Sequence, residues 1–217
     1  MIYQYMNKVI CGIAISIDGF VAGPNMSEKK PFGDLPESFL KLGIPGAPEG
    51  LLHRWMFDEP EKHKAEIAEL SSVAGAYIMG RNMYGPKGKK YDTTWKGWWG
   101  DNPPFQAPVF VLTHAPREQI QMEGGTSYSF VTDGIESAMK QAQKAAGNKP
   151  VAIAGGANVV NQYLAAGLID ELWLHIVPAT IGKGQRLFEN APTLRMEPIS
   201  CSGTKLVTHI KYRIINK

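Results

Sequence analysis

A short apolar run, Pro150-Val151-Ala152-Ile153, ends in Ala154-Gly155-Gly156-Ala157-Asn158 and passes into helix-compatible sequence from Asn158 to Ala166. No other stretch constrains the fold as strongly. A strand that leaves a sheet through two glycines and enters a helix offers free backbone N–H groups and the positive end of a helix dipole, with no Cβ to hold an anion away. Two similar strand ends lie upstream, Ile78-Met79-Gly80-Arg81 and Val111-Leu112-Thr113-His114. Together they predict a sheet whose strand tips meet around one phosphate-bearing ligand.

The rest of the chain fits such a sheet. Lys8 to Ile17 is apolar and β-branched, as a buried central strand requires, and Asp18-Gly19 turns the chain. Residues 23–58 are rich in Gly and Pro and show no period, an excursion long enough to be functional. Pro60 to Ser72 reads as a helix with His63, Ile67, Leu70 and Ala74 turned inward. Then come strand 76–79, an irregular region 85–108 holding Trp95, Trp98 and Trp99, strands 109–113 and 127–132, helix 134–146, strand 150–154, helix 158–166 and strand 170–177. Alternation over 195–214, around Ser202-Gly203, reads as a hairpin. The expected class is α/β: a mainly parallel sheet with helices on both faces and an antiparallel C-terminal hairpin at one edge.

With 217 residues and no linker or repeat, the chain suits one domain spanning 1–217. The net charge of +3 is too small to argue for nucleic acid, and Lys87-Gly88-Lys89-Lys90 reads as a solvated loop. Cys11 and Cys201 fall in strand-like segments without metal spacing, so both are expected as buried thiols and no metal site is expected. No segment reaches the roughly 18 apolar residues of a membrane helix. Met1 to Lys8 lacks a signal pattern, which points to the cytoplasm, and Met6 is a second possible start.

The order of motifs resembles the dihydrofolate reductase superfamily, in the branch of the riboflavin-biosynthesis reductase domain. The resemblance rests on Ser16-Ile17-Asp18-Gly19, Met79 to Tyr84, Val109 to His114, Ile153 to Ala157 and Asp170 to Pro178, running on to Ile181-Gly182-Lys183-Gly184 and Leu187-Phe188. It implies NADPH held across the carboxyl edge of the sheet. Gly80, Arg81, Asn82 and Met83 would approach the phosphates, Thr113 with His114 the adenosine phosphate, and Gly155, Gly156, Ala157, Asn158 and Val159 the pyrophosphate. Ala14 would face the nicotinamide, under Val21 and Ala22. The resemblance also suggests a homodimer.

The residues themselves favour NADP over NAD. Thr113-His114-Ala115-Pro116-Arg117 carries no carboxylate until Glu118, and Arg81 ends the neighbouring strand. A 2′-phosphate wants such donors, whereas NAD sites place an acid there. Arg117 reads either as one of these donors or as an exposed loop charge.

Asp18 is either a proton donor beside the nicotinamide or an ordinary turn aspartate. The helix acids Glu66 and Glu69 are expected to be solvated, with Glu66 bordering the apolar stripe and Glu69 pointing away from it. The three tryptophans could stack on a flat substrate, fill a core or form a dimer face. His175 is expected as a satisfied core or pocket-wall residue, and Ile181 to Gly184 as a turn. The function expected is NADPH-dependent reduction of a small heterocyclic or carbonyl-type molecule. The alternatives are dihydrofolate or 5-amino-6-ribosylaminopyrimidine reduction proper, and NADP binding without catalysis.

Overall fold

The computed structural model describes residues 7–35, 51–85 and 94–215. Lys87 to Lys90, Asp92 and Met6 lie outside them.

Among the described residues, eleven strands and five α-helices follow in the order β1 (Val9–Ser16), β2 (Phe20–Ala22), α1 (Arg54–Asp58), α2 (Lys64–Ser72), β3 (Ala76–Gly80), α3 (Arg81–Tyr84), β4 (Pro108–Leu112), β5 (Ile120–Gln121), β6 (Ser127–Val131), α4 (Ile135–Ala146), β7 (Val151–Gly155), α5 (Ala157–Ala165), β8 (Glu171–Val177), β9 (Gln185–Arg186), β10 (Met196–Gly203) and β11 (Thr208–Ile214). Nine strands make one sheet in the order β10-β11-β8-β1-β7-β3-β4-β6-β5, and β2 pairs with β9. The strands from β8 to β6 in that order pair in parallel; β11, β10 and β5 join antiparallel at the edges. This is the expected α/β class.

Alternation along β1 splits the core. Val9, Cys11 and Ile15 face α4 and α5, where Ala138, Met139, Ala142, Val160 and Leu164 are buried against them. Ile10 faces the other way, with Tyr77, Val109, Tyr128 and the segment around Phe105. Ala14 meets Trp55 and Leu52, and α2 adds Ile67 and Leu70 to the same cluster. Small residues on α4 let the helix lie close to the sheet.

Several elements differ from the sequence expectation. The helix from Pro60 starts as a 3-10 turn, Pro60–His63, and becomes α-helical at Lys64. The hairpin tip lies later than Ser202-Gly203, because Gly203 still pairs with Thr208 and the turn closes through Thr204 N–H to Val207 O at 2.9 Å. The stretch 23–58 contains a 3-10 turn at Leu51–His53 followed by α1, five residues too short to show a period. Cys201 is exposed, not buried, since β10 is the outermost strand of its edge; Cys11 is buried, and burial pushes its thiol up to about 12.

Candidate active site

Strands running in parallel put all their carboxyl ends on one rim, where open α/β sheets bind ligands. Here that rim opens into a cavity of about 1290 Å³. Ala14, Val21 and Ala22 line it from β1 and β2; Gly80, Arg81, Asn82 and Met83 from β3 and α3; Thr113 and His114 from the end of β4; and Gly155, Gly156, Ala157, Asn158 and Val159 from β7 and α5. The structure therefore brings the residues that the resemblance assigned to the dinucleotide to one cavity, and Arg117 is not among its lining.

The glycines divide by role. Gly155 has φ +127°, a conformation that side chains avoid, and a Cβ there would sit 3.3 Å from Met83 Sδ. The Gly155–Gly156 peptide is cis. Gly156 is different: its φ of −72° suits any residue, and a Cβ would meet nothing within 4 Å. It borders the open cavity at the start of α5. Gly80 serves packing instead, because a Cβ would fall 2.8 Å from Val159 Cγ2 and force α5 off β3.

At the other tips, the Thr113 hydroxyl accepts from Ala115 N–H at 3.1 Å and keeps its own proton to donate. Arg81 lies on the cavity wall, its guanidinium 3.4 Å from Asn82 Oδ1. Arg117 is neither a loose loop charge nor part of the wall. It donates to Tyr84 Oη at 3.3 Å and lies over Phe130, 5.2 Å from the ring centre. Among the described residues, the only carboxylate on the wall is Glu69.

Glu69 corrects the helix reading. It does not point away: Leu70 docks against Gly12, where a Cβ would come within 2.5 Å of Leu70 Cδ2, and this turns Glu69 to the cavity. Glu69 Oε1 takes Lys211 Nζ at 2.5 Å, while Oε2 is buried without a hydrogen-bond partner among the described residues. Lys211 also sits over Trp173, 4.6 Å from its ring. Glu66 faces the hairpin and accepts from Ser202 Oγ at 3.0 Å.

Of the roles expected for the tryptophans, core filling is seen: Trp95 and Trp99 pack on the core. Trp95 exchanges hydrogen bonds with Tyr84, while Trp98 and Trp99 line the cavity and pack edge-on against Trp95 and Phe105, with ring centres 4.8 and 5.0 Å apart.

Asp18 is absent from the wall. Its carboxylate accepts from Ser16 Oγ at 2.5 Å and from the N–H groups of Ile181 and Gly182, so it ties the β1 turn to the loop 181–184. Partial burial would raise its pKa, but these hydrogen bonds win and hold it below the usual range. Ile181 to Gly184, expected as a turn, is irregular chain that bends at Lys183 and Gly184.

His175 is buried as expected but only half satisfied. Its Nδ1 is 2.7 Å from His209 Nδ1, and Nε2 has no partner among the described residues. Desolvation pushes it down to about 3.

His53 escaped the sequence reading, because it sits in an aperiodic stretch whose order comes from tertiary contacts. It lines the cavity, packs at a tilt against Phe32 with centres 5.0 Å apart, and has a buried Nδ1 without a partner among the described residues. Desolvation lowers its pKa to about 4. The unfolded chain protonates near 6.5, so the folded state resists a proton that the unfolded state accepts. Stability is full above about pH 6.5 and falls as pH drops toward 4. Part of the ring edge is open to the cavity, which limits the loss to about 1–3 kcal/mol. Denaturant melts from pH 7 to 4 should show this limb, and His53→Gln should flatten it.

The model of the RibD C-terminal domain matches residues 7–209. The chain belongs to the RibD C-terminal domain family. This RibD C-terminal domain is 27% identical over 185 residues to an uncharacterized protein, YyaP, of Bacillus subtilis strain 168, covering 83% of this chain and 80% of that one. A protein of Shewanella sp. PV-4 superposes with TM-score 0.61 at 18% identity, covering 97% of this chain and all (100%) of the other. A pyrimidine reductase-like protein of Corynebacterium diphtheriae superposes with TM-score 0.56 at 14% identity, over 98% and 94% of the two chains. A diaminohydroxyphosphoribosylaminopyrimidine deaminase/5-amino-6-(5-phosphoribosylamino)uracil reductase of Thermotoga maritima gives 0.57 at 13%, over 97% of this domain and 57% of that longer chain. These structures share the fold.

Proposed function

We propose that this RibD C-terminal domain is an NADPH-dependent reductase of a small nitrogen heterocycle or related carbonyl-type compound. The observation that carries the reading is the convergence of three strand tips, two of them glycine-bearing, on one cavity whose single described carboxylate lies on α2 rather than at a tip. At about 1290 Å³ the cavity exceeds the roughly 300–1,000 Å³ of an ordinary small-ligand pocket, which leaves room for a dinucleotide and a second reactant.

The residues suit the cofactor. Gly156 leaves the backbone at the start of α5 open for a pyrophosphate. Arg81 and the free proton of Thr113 suit a 2′-phosphate, and no described wall residue at these tips repels one. NADPH supplies a hydride when bound. The protein's part is to place a flat acceptor against it and keep water out.

Gly12 and Ala14 form a strip of β1 without bulky side chains beside Leu70, in a cavity that Trp98 and Trp99 also line. Glu69 is the carboxylate that the wall offers to a heterocycle N–H, and His53, which burial holds neutral, lines the same cavity as a hydrogen-bonding group. The Thermotoga protein is named as a 5-amino-6-(5-phosphoribosylamino)uracil reductase and the Corynebacterium protein as pyrimidine reductase-like, and a pyrimidine matches this donor-and-acceptor pattern.

The test is a fluorescence titration with NADPH and NADH. The wild-type protein should prefer NADPH. Arg81→Ala and Thr113→Ala should each weaken NADPH more than NADH, with the Arg81 loss roughly 10- to 100-fold, the worth of a charge-assisted hydrogen bond of about 1.5–3 kcal/mol. Equal losses for both cofactors would remove the 2′-phosphate assignment. Single-turnover oxidation of bound NADPH by aminopyrimidinones, pterins and simple carbonyls then identifies the acceptor class.

A further inference from the structure

Behind the cavity wall, on the hairpin side of α2, lies a polar cluster that the reductase reading does not use. His63 closes the 3-10 turn before α2, Glu66 follows three residues later on the same helical face, and His209 comes from β11. His63 and His209 are only 1% and 3% exposed. His209 Nε2 lies 2.9 Å from His63 Nδ1, and one nitrogen of each histidine and a Glu66 oxygen all fall within 4.8 Å of one another.

We propose that His63, Glu66 and His209 form a binding site for a late first-row divalent cation of the zinc class, which ties α2 to the C-terminal hairpin. Two imidazoles and one carboxylate suit zinc and its neighbours, whereas calcium and magnesium call for oxygen ligands throughout. Zinc takes its nitrogen and oxygen ligands at about 2.0–2.2 Å, which sets neighbouring ligand atoms roughly 3–3.5 Å apart around the ion. The two nitrogens are already near that spacing. Glu66, half-buried and bonded to Ser202 Oγ, is the ligand that must swing in.

The outer nitrogens supply an independent argument. A metal-bound histidine normally passes its other N–H to a partner that fixes the ring. Both rings have one. His209 Nδ1 is 2.7 Å from His175 Nδ1, and His63 Nε2 is 3.4 Å from Thr204 Oγ1. With the cation on His209 Nε2 and His63 Nδ1, the protons lie on the outer nitrogens and are donated to His175 and Thr204. Trp55 packs edge-on against both rings, with centres 5.3 and 4.8 Å away, and prevents them from turning out. Three protein ligands leave one position for water.

Sequence spacing hides this site because His63 and His209 are 146 residues apart. The proposal stands independently of the cofactor. The chelator-stripped full chain should bind one Zn²⁺ per molecule in calorimetry, with micromolar or tighter affinity and a raised melting temperature. Co²⁺ should give the intense visible bands of a four-coordinate site.

His209→Ala should weaken Zn²⁺ at least 100-fold and abolish the cobalt bands. Glu66→Gln, an isosteric change at a half-buried position, should weaken Zn²⁺ about tenfold and remove most of the thermal shift. Wild-type protein that shows no saturable Zn²⁺ binding would overturn the proposal. So would unchanged Zn²⁺ affinity in folded Glu66→Gln, which would leave the cluster as hydrogen-bonded core histidines.

Discussion

Gly156→Val is expected to abolish NADPH binding in a protein that still folds. The two halves of that expectation have separate physical causes. Folding survives because the backbone of Gly156, at φ −72° and ψ −172°, is extended and open to any residue, and because a Cβ there meets no atom within 4 Å. Binding fails because that space is the cavity itself. A valine would fill the approach to the first N–H groups of α5 with two methyls, and a pyrophosphate cannot reach donors through them. The loss should exceed 100-fold in Kd, more than about 2.7 kcal/mol. Gly156→Ala should fall between valine and wild type. Fluorescence titration beside a circular-dichroism melt checks both halves. A folded valine variant with wild-type affinity would place the pyrophosphate elsewhere on the wall. Gly80→Val makes the contrasting case, since its side chain would strike Val159 and act on stability first.

The same contrast shows what the sequence could and could not reveal. A strand end is a local event. Apolar β-branched residues running into Gly-Gly or Gly-Arg announce it within a few positions, and parallel pairing then forces the tips together. So Gly80 to Met83, Thr113 and Gly155 to Val159 were legible. The orientation of α2 was not. The stripe His63, Ile67 and Leu70 identifies the buried face, but Glu66 and Glu69 follow one another on the same side of it, about 60° apart. Which one reaches the cavity depends on how Leu70 seats over Gly12, a contact 58 residues away in sequence. Asp18 was legible only as two options. Of its three acceptor partners, Ser16 is two residues away, but Ile181 and Gly182 lie on a loop 163 and 164 residues further on. His53 and α1 left no periodic trace, since five residues of helix are held by tertiary packing rather than propensity.

That packing rests on Trp55, and Trp55→Ala should be the most destabilising single change among these elements. The indole is 1% exposed and donates from Nε1 to Leu52 O at 2.9 Å. It fills the space between α1, β8 and β11, with its ring 5.1 Å from that of His175 as well as touching His63 and His209. Removing a buried tryptophan costs about 3–5 kcal/mol, because the cavity left behind cannot fully collapse. At roughly 2–4 °C per kcal/mol for a chain of this size, the melting temperature should fall by about 6–20 °C. Trp55→Phe should lose much less, chiefly the hydrogen bond to Leu52, about 1 kcal/mol. The functional consequence follows from position. Leu52 and Trp55 bracket His53 and hold it against Phe32, so the alanine variant should also loosen that side of the cavity while the strand tips stay in place. NADPH affinity should then survive at temperatures where the variant is folded, and turnover should not. Loss of NADPH affinity in parallel with stability would instead make α1 part of the dinucleotide site.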